Sequence, residues 1–459
     1  MIKSHLRLLF IVISLFGLIR ARNVVFQKPT VQTHNLPLTT QHGRILAGSI
    51  GCKILLVESI PQNLTYSPDS PKHASTLFAW HVLLDQVTRN LSLASFYWSL
   101  LAEPQFNRSA IHEGRAIYDA LLEKAGQVKL TVAQSGAKKE NNELDQLSAA
   151  GAQIYWIDVA RLLGQGVLHT KLWAIDRKHG YIGSANMDWR SLTEVKELGG
   201  LLLNCPELVH ELEKIHGAYC LATESIPARW PKELETVYNH TNPLVTKING
   251  VRSRVYVSGS PREFNPPGRT YDLDAILLTI AQAKKYIYIS VMDYSPEVVN
   301  YDTEKPKKYW PVIDTALREA AIDRGVEVRL LISRWPYTVP TMFKYLSSLK
   351  ALNGIGGSQL RVRYFVVPSF TDEQIMIPHA RVNHNKYMVT EKTAYIGTSN
   401  WSGDYFLYTG GAGLVVEEDT VGNPFTDSIH DGNTKPKTLQ AQLTDIFYRD
   451  WNSEYSYEE

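Results

Sequence analysis

His169-Thr170-Lys171 is followed a short distance along the chain by Gly183-Ser184-Ala185-Asn186. The same pattern returns as His384-Asn385-Lys386 followed by Gly397-Thr398-Ser399-Asn400. Histidine can attack phosphorus or carry a proton. Lysine supplies a fixed positive charge for phosphate oxygens, and the asparagine amide adds a neutral donor. Because in-line displacement needs a nucleophile on one side and an acid on the other, the repeat predicts that two halves of the chain build one phosphoryl-transfer site.

The duplication extends beyond these motifs. Short apolar or alternating runs bounded by turn residues recur in the same order in both halves, as strands should. The matching runs are residues 54–61 with 255–261, 93–98 with 289–294, 128–132 with 328–332, 154–157 with 362–366, and 201–203 with 414–416. Helical stripes separate them, one beginning at Pro206 and its counterpart lying near the C-terminus. The pattern predicts an α/β protein of two pseudo-symmetric lobes, each a mixed β-sheet flanked by helices.

The predicted boundaries follow from this alternation. The first lobe covers residues 48–237 and the second covers residues 251–455. A polar, proline-bearing linker is expected at residues 238–250, and a frayed tail from Asn452.

In a strand, residues two apart face the same side, so His169 and Lys171 are expected to point together at a ligand while Thr170 points away.

Composition is that of a globular protein, with 44% hydrophobic and 20% charged residues among 459. The formal net charge is +2, and three basic residues fall in the first 21 positions, so the remainder carries −1. A chain this close to neutral argues against bulk, non-specific binding of nucleic acid. Any polyanion must therefore be held by a local basic patch.

The N-terminus has the pattern of a targeting segment. Lys3 and Arg7 precede an apolar run of 12 residues, 8–19, and Ala21 follows. This run suits a signal-peptide core better than a membrane span, and the alternative for residues 1–21 is a short uncleaved signal anchor. Either alternative places the rest of the chain in the secretory pathway. Membrane contact is then expected only through this segment, if it stays uncleaved.

Glycosylation and cysteine patterns agree with that compartment. Sequons occur at Asn63, Asn90, Asn107 and Asn239, while Asn400 also matches but is assigned to the active site. The three cysteines allow at most one internal disulfide. Because Cys52 opens an apolar strand and Cys205 closes another, the favoured pair is Cys52–Cys205, which leaves Cys220 as a buried free thiol.

The doubled motif resembles the phospholipase D superfamily, whose mark is a repeated His-Lys-Asp motif with a following Gly-Ser-x-Asn. More narrowly, residues 57–61, 95–98, 383–389 and 397–403 are similar to the animal lysosomal branch known as phospholipases D3 and D4. The resemblance implies a phosphodiesterase, most simply a 5′ exonuclease acting on single-stranded DNA or RNA. The alternative is a phospholipid hydrolase or transphosphatidylase that uses the same residues. Intact His, Lys and Asn in both halves count against a non-enzymatic binder.

The resemblance also assigns roles. One of His169 and His384 forms a phosphohistidine, by family default His169, and the other protonates the leaving oxygen. Phosphate-binding residues are Lys171, Lys386, Asn186 and Asn400. No cofactor is expected, and no metal site, because cysteine pairs at ligand spacing are missing and each histidine neighbours a lysine that would repel a cation. Activity is expected to survive a chelator and to have an acidic optimum, since one imidazole must be protonated.

Three acidic residues complete the predicted site. Asp176 and Glu391 each lie five residues after a motif lysine, a spacing that turns them from the ligand face and makes them loop anchors. The general motif has Asp where this chain has Glu391. Glu197 resembles the family acid that hydrogen-bonds a catalytic imidazole, here His384 across the lobe interface. The stretch that matches Glu197 in the second half is Gly410-Gly411-Ala412 and carries no acid.

Aromatic residues are frequent, with 24 Tyr, 10 Trp and 13 Phe. Single-stranded nucleic acid binds by base stacking beside a phosphate cleft. Tyr97 and Tyr294 end strands and are candidates for the mouth of the site, and Tyr309 resembles the base-stacking aromatic of the branch. The sequence leaves open the choice among DNA, RNA and phospholipid, the cleavage direction and whether two copies form a homodimer.

Overall fold

A computed structural model describes residues 51–103, 105–106, 111–298, 308–418 and 437–459. The predicted signal peptide or anchor at residues 1–21 and the sequon at Asn107 lie outside these residues. Within them, two large mixed sheets dominate the fold, one in each half of the chain. The predicted fold class, two α/β lobes built on mixed sheets, is confirmed.

The first sheet has eight strands. In spatial order they are Ala74–Ser75, Lys53–Ser59, Glu197–Leu203, His179–Gly183, Leu172–Ile175, Asn90–Ser95, Lys129–Ser135 and Gln153–Ile157. The strand at Lys53–Ser59 and the next four in this order pair antiparallel, and the last three pair parallel. The parallel part needs helical crossovers, which cover the faces of the sheet.

The second sheet repeats this arrangement with nine strands. In spatial order they are Leu244–Ile248, Val251–Ser260, Gly411–Glu418, Thr393–Gly397, Lys386–Thr390, Tyr286–Val291, Glu327–Ser333, Leu360–Phe365 and Ser456–Tyr457. From Val251–Ser260 to Leu360–Phe365 the seven strands match seven of the first sheet in order and in orientation. The shared topology is what a duplicated lobe produces.

Two strands lie where the sequence analysis placed a linker and a frayed tail, and both expectations were wrong. Leu244–Ile248 pairs with Val251–Val255 through a hairpin at Asn249-Gly250, whose φ angles of 52° and 85° are those of a primed turn. Asn-Gly between two alternating runs is the strongest short signal for such a hairpin. Ser456–Tyr457 pairs antiparallel with the edge strand Leu360–Phe365. The second sheet therefore extends from residue 244 to residue 457.

Helices flank both sheets. Those of the first lobe are Thr76–Gln86, Ile111–Ala125, Asn142–Ala149, Val159–Leu163, Trp189–Thr193 and Pro206–Leu221. Those of the second lobe are Asp272–Gln282, Val312–Ile322, Pro340–Lys350, Asp372–Met376, Gly403–Leu407 and Leu439–Trp451. Local signals fix several ends: Ser75 and Thr438 accept from backbone amides of their first turns, and Pro206 occupies the first turn of its helix.

The hydrophobic core is continuous across the two lobes. One cluster of buried side chains includes Ile54 and Leu202 of the first sheet together with Ile396 and Leu414 of the second. The long helices Pro206–Leu221 and Leu439–Trp451 contribute to the same cluster with the apolar stripes that the sequence predicted. Burial of apolar surface between the sheets holds the lobes in one fixed relation, which the site between them requires.

A buried ionic cluster also joins the lobes. Nζ of Lys196, whose side chain is 0% exposed, lies 2.8 Å from Asp450 and 3.6 Å from Glu58. The guanidinium of Arg449 pairs with Glu58 and with Asp450. Glu58 and Lys196 belong to the first lobe, and Arg449 and Asp450 belong to the last helix of the second. Buried charges are tolerated only when they are paired, so these four residues fix one register between the lobes.

The predicted disulfide between Cys52 and Cys205 is confirmed. Cys220 carries a free thiol, as expected, but it is half-buried rather than buried. Within the described ranges, no helix is both long enough and apolar enough to span a bilayer.

Candidate active site

The two motifs meet where the backbones of the lobes cross. In the first crossing, the amide of His169 donates to the carbonyl of Gly410 at 2.8 Å. In the second, the amide of His384 donates to the carbonyl of Lys196, also at 2.8 Å. Each histidine is therefore fixed by backbone of the opposite lobe. The two imidazole centroids lie 6.4 Å apart, and both side chains are buried. This spacing leaves room for one phosphorus centre between the rings.

The His-x-Lys segments differ from the predicted strand geometry. The strands begin only at Leu172 and at Lys386, so the first motif precedes its strand. Thr170 nevertheless turns away from the site, with its hydroxyl 2.8 Å from that of Tyr219. Nζ of each lysine donates to the carbonyl of its own histidine, at 2.6 Å for Lys171 and at 2.8 Å for Lys386. These short internal bonds add to the backbone hydrogen bonds from the opposite lobe that hold the two segments.

Each imidazole is oriented by an acceptor from the other lobe, but the two acceptors differ. Nδ1 of His169 lies 2.8 Å from the backbone carbonyl of Thr398. Nδ1 of His384 lies 2.8 Å from the carboxylate of Glu197, the partner that the sequence predicted. Because a carbonyl and a carboxylate can only accept, both rings carry the proton on Nδ1 and present Nε2 toward the cleft.

Glu197 is itself held by two hydroxyl groups. Ser184 donates to one carboxylate oxygen and Ser191 donates to the other. Burial alone would raise the pKa of Glu197, but the interactions with His384 and Lys386 outweigh it and lower that pKa. Glu197 is therefore an ionised carboxylate that can stabilise an imidazolium at His384.

Burial and mutual repulsion make the histidines and lysines of the site weakly basic. Burial lowers the pKa of His169 well below its ordinary value, and Lys171 and Lys386 lower it further. Burial likewise lowers the pKa of His384 to about 4, with Glu197 opposing that effect. Burial also lowers the pKa of both lysines, to about 7 for Lys386. A bound phosphate anion would favour the protonated forms of all four groups.

The two motif asparagines line the cleft beside the lysines, and both are buried. Nδ2 of Asn400 donates to Asp293 at 3.2 Å and to the hydroxyl of Tyr405 at 3.1 Å. Nδ2 of Asn186 lies 3.4 Å from the hydroxyl of Tyr97. Their predicted role in binding phosphate is compatible with this placement and stays a prediction.

Three residues of the site were missed by the sequence analysis. The ring of Phe96 packs 5.0 Å from His169 and lies beneath Nζ of Lys171 at 5.4 Å. Tyr405 packs edge-on against His169 with centroids 5.1 Å apart. Asp293 contacts Asn400 and interacts with Lys386. The repeat itself held a signal for Asp293, because residue 293 occupies the position of Tyr97 in the matched strands.

Asp176 and Glu391 each follow the strand that starts at or next to a motif lysine, so they lie at the end of that strand away from the cleft. There they anchor loops. Asp176 has a φ of 51° and accepts four hydrogen bonds, from the amides of Thr88, Arg89 and Asn90 and from the Thr88 hydroxyl. Glu391 accepts from two backbone amides, those of residues 284 and 285. Neither carboxylate reaches the cleft, so both act on the fold rather than on the substrate.

The three predicted substrate aromatics have different environments. Tyr97 borders the site, with its hydroxyl bonded to Asp188 at 2.7 Å. Tyr294 was wrongly assigned, because its side chain is 1% exposed and its hydroxyl donates to Asp314 inside the second lobe. Tyr309 is 62% exposed on a two-stranded ribbon formed by Glu297–Val298 and Lys308–Tyr309. Base stacking by Tyr309 stays a prediction.

In the described part of the chain, no group of three or more His, Cys, Asp or Glu side chains is placed to hold a metal ion.

Comparison with known proteins agrees with this geometry. The family model described as "PLD3/4, PLD-like domain" matches residues 67–370. The chain is 43% identical over 413 residues to the 5′-3′ exonuclease PLD3 of Xenopus tropicalis, covering 88% of this chain and 80% of that protein. It is 43% identical over 413 residues to the 5′-3′ exonuclease PLD4 of Mus musculus, covering 88% and 79%.

The human 5′-3′ exonuclease PLD3 is 41% identical over 415 residues, covering 89% of this chain and 81% of the human one. Among solved structures, phosphatidylserine synthase of Haemophilus influenzae superposes with a TM-score of 0.50 at 11% identity, covering 92% of this chain and 91% of the synthase. That likeness concerns the fold alone. With its doubled motif, its shared site and this extent of identity, the chain belongs to the PLD3/PLD4 family of phospholipase D-like proteins.

Proposed function

We propose that this protein is a metal-independent 5′ exonuclease that releases nucleoside 3′-phosphates from single-stranded DNA or RNA through a phosphohistidine intermediate. The observation that carries the proposal is the pair of imidazoles 6.4 Å apart with unlike partners, a carbonyl for His169 and a carboxylate for His384. The relatives named 5′-3′ exonucleases supply the substrate class.

The unlike partners support one assignment of the two roles. His169 has a strongly lowered pKa and only a neutral acceptor on Nδ1, so it is the harder of the two imidazoles to protonate and keeps a lone pair on Nε2. His384 contacts the ionised Glu197, which stabilises its protonated form once a phosphate anion is bound. His169 is therefore the nucleophile and His384 the proton carrier, in agreement with the family default.

In the first step Nε2 of His169 attacks the phosphorus next to the terminal nucleoside. The bond between phosphorus and the 5′-oxygen of the second nucleotide breaks, and His384 protonates that oxygen. Lys171 and Lys386 stabilise the added negative charge on the phosphoryl oxygens. The shortened strand leaves with a new 5′-hydroxyl, and the terminal nucleoside 3′-phosphoryl group remains on His169.

In the second step the now neutral His384 takes a proton from water, and the water oxygen attacks phosphorus. The bond between phosphorus and Nε2 of His169 breaks, which releases a nucleoside 3′-phosphate and restores both imidazoles. Because each cycle leaves a 5′-hydroxyl end, the product strand is again a substrate.

A single-turnover experiment tests this mechanism. The substrate is thymidine 3′-(p-nitrophenyl) phosphate, whose p-nitrophenolate leaves without a proton. We expect His384→Ala to release about one equivalent of p-nitrophenol per active site and then to stall, because hydrolysis of the intermediate lacks its base. We expect His169→Ala to release none. A burst from His169→Ala but not from His384→Ala would reverse the assigned roles.

Substrate class is tested separately with wild-type protein at acid pH in the presence of EDTA. We expect release of 3′-mononucleotides from a single-stranded oligonucleotide with a 5′-hydroxyl end. Under the same conditions we expect no turnover of vesicles of an anionic phospholipid. Lipid turnover without nucleotide release would replace the nuclease by a phospholipid hydrolase or transphosphatidylase, and loss of nucleotide release in EDTA would contradict metal independence.

We further propose that the protein works in the lysosomal lumen or outside the cell, after entry through a signal peptide or anchor at residues 1–21. Support comes from the Cys52–Cys205 disulfide and from the exposed sequons at Asn63 and Asn90, with Asn239 half-exposed. Asn400 is 3% exposed, which makes it a poor glycan acceptor. Endoglycosidase digestion of the expressed protein, followed by mass spectrometry, tests whether the sequons carry glycans. Light scattering tests separately whether two copies form a homodimer.

A further inference from the structure

Three aromatic rings form a cluster on the second lobe, here called the rim cluster: Trp335, Tyr337 and His379. Tyr337 stacks on His379 with centroids 4.7 Å apart and an interplanar angle of 27°. Trp335 meets Tyr337 at 4.8 Å and His379 at 6.3 Å, both edge to face. Tyr337 remains 54% exposed, His379 is exposed and Trp335 is half-buried beneath them. The cluster is a supported aromatic platform open to solvent.

The rim cluster is connected to the catalytic cleft through two short segments of chain. Trp335 and Tyr337 follow the strand Glu327–Ser333, and His379 precedes His384 by five residues. The amide of Asn383 donates to the hydroxyl of Ser333 at 3.2 Å, which joins the two segments next to His384. Five extended residues reach at most about 18 Å, so the Cα atom of His379 lies within that distance of the Cα atom of His384.

The segment that carries His379 is locked to the rest of the molecule. His379 and Arg381 adopt φ angles of 55° and 54°, which non-glycine residues rarely do. Arg381 is buried and donates to the carbonyls of Pro368 and Gln62, and it also pairs with Glu194 at 3.3 Å. These bonds hold the backbone that turns His379 outward. The platform is therefore held in place before any ligand arrives.

We propose that the rim cluster is a base-stacking subsite for an unpaired nucleobase of the strand held at the cleft. This inference rests on the proposed function and names a second contact with the same substrate. Stacking is tolerant of base identity because every base has a π-face, which suits an enzyme that must accept each nucleotide in turn. A flat platform of phenol and imidazole, with indole beneath, offers faces for stacking rather than a groove for acyl chains.

The test compares a long substrate with a minimal one. For a single-stranded 12-nucleotide DNA, we expect Tyr337→Ala to raise KM roughly tenfold, in the range of about 5- to 150-fold set by base–aromatic stacking. For thymidine 3′-(p-nitrophenyl) phosphate, which carries no nucleobase beyond the first, we expect unchanged kcat/KM. Tyr337→Phe should retain wild-type KM on both substrates. Ile355→Ala, another exposed apolar side chain on the second lobe, serves as the control.

A series of 12-mers, each with one abasic site at a different position, identifies the stacked base. We expect one abasic position to raise KM for the wild type and to have no further effect on Tyr337→Ala. An additive effect at every position would overturn the subsite, as would an unchanged KM for Tyr337→Ala. If His379→Ala or Tyr337→Ala slowed turnover of anionic vesicles instead of DNA, the platform would be a lipid contact. Failure of the wild type to release nucleotides would instead refute the proposed function itself.

Discussion

The carboxylate of Glu197 in the first lobe lies 2.8 Å from Nδ1 of His384 in the second lobe. The position that matches residue 197 is Gly411, since both open strands that pair with Ser59 and Ser260 respectively. A side chain at Gly411 would collide with the hydroxyl of Ser399, so the second lobe has no room for a corresponding acid. The duplicated halves are alike in fold and unlike in the electrostatics of their histidines.

Glu197→Gln tests whether that carboxylate supports proton transfer. We expect kcat on oligonucleotides to fall by about 10²- to 10⁴-fold, the usual worth of general acid catalysis, because a neutral amide cannot stabilise the imidazolium of His384. Release of p-nitrophenol in the first turnover should be much less affected, since that leaving group needs no acid. Stopped-flow and steady-state rates measure the two effects. Equal losses of rate on both substrates would mean that Glu197 acts only on the fold. The control variant is Glu319→Gln, which changes an exposed carboxylate.

Asp293→Asn tests one origin of the predicted acidic optimum. Burial raises the pKa of Asp293 to about 6, with Lys386 opposing and Asp404 adding to the effect. Below that pH the carboxyl is neutral, and above it the carboxylate repels a phosphodiester, so KM should rise as pH increases through 6. In the variant this rise should disappear. In the wild type a second rise is expected near pH 7, where Lys386 loses its proton, and in the variant it should move to lower pH because Asp293 raises the pKa of Lys386. Measurements of KM from pH 4.5 to 8 test this prediction. Identical pH profiles for the variant and the wild type would show that Asp293 does not cause the first rise in KM.

Lys196→Met tests the ionic cluster between the lobes. Nζ of Lys196 is close enough to Asp450 to form an ion pair, but the two groups are not aligned for a hydrogen bond. Its loss leaves Asp450 and Glu58 with Arg449 as their remaining cation. We expect the free energy of unfolding to drop by about 3–5 kcal/mol, the usual cost of breaking a buried pair. The double variant with Asp450→Leu should recover part of it. Urea unfolding followed by tryptophan fluorescence measures both, and a double variant less stable than Lys196→Met would contradict this account.

Replacing Cys52 and Cys205 by alanine tests the disulfide. The bond closes a long loop, with a sequence separation of 153 residues. We expect the unfolding free energy to fall by about 2–4 kcal/mol, and reductant to destabilise the wild type but not the variant. Cys220→Ala, which touches only the free thiol, should change stability little. An unchanged urea midpoint for the double variant would show that packing alone secures this part of the sheet.

The repeat in the sequence was enough to predict the lobes and the pairing of His169 with His384, because matched motifs on matched strands must lie at matched places. The partner of His384 came from resemblance, since no spacing rule links residue 197 to residue 384. Tyr294 was misplaced because a strand-end aromatic can turn inward or outward, and a helical acid, Asp314, draws its hydroxyl inward. Tyr405 and the rim cluster depend on long-range packing, which one sequence does not encode in any local pattern.

The contrast between Glu197 and Gly411 bears on the direction in which a nucleic-acid strand can lie across the cleft. Two near-equivalent halves around one phosphodiester would by themselves accept a strand running either way across the cleft. A strand inserted in reverse would present its departing oxygen to His169, whose Nδ1 faces the Thr398 carbonyl rather than a carboxylate. That oxygen would leave without an efficient proton donor. Under the proposed mechanism, we therefore expect the single acidic side chain, absent from its mirror position, to make the cleft productive for only one strand direction.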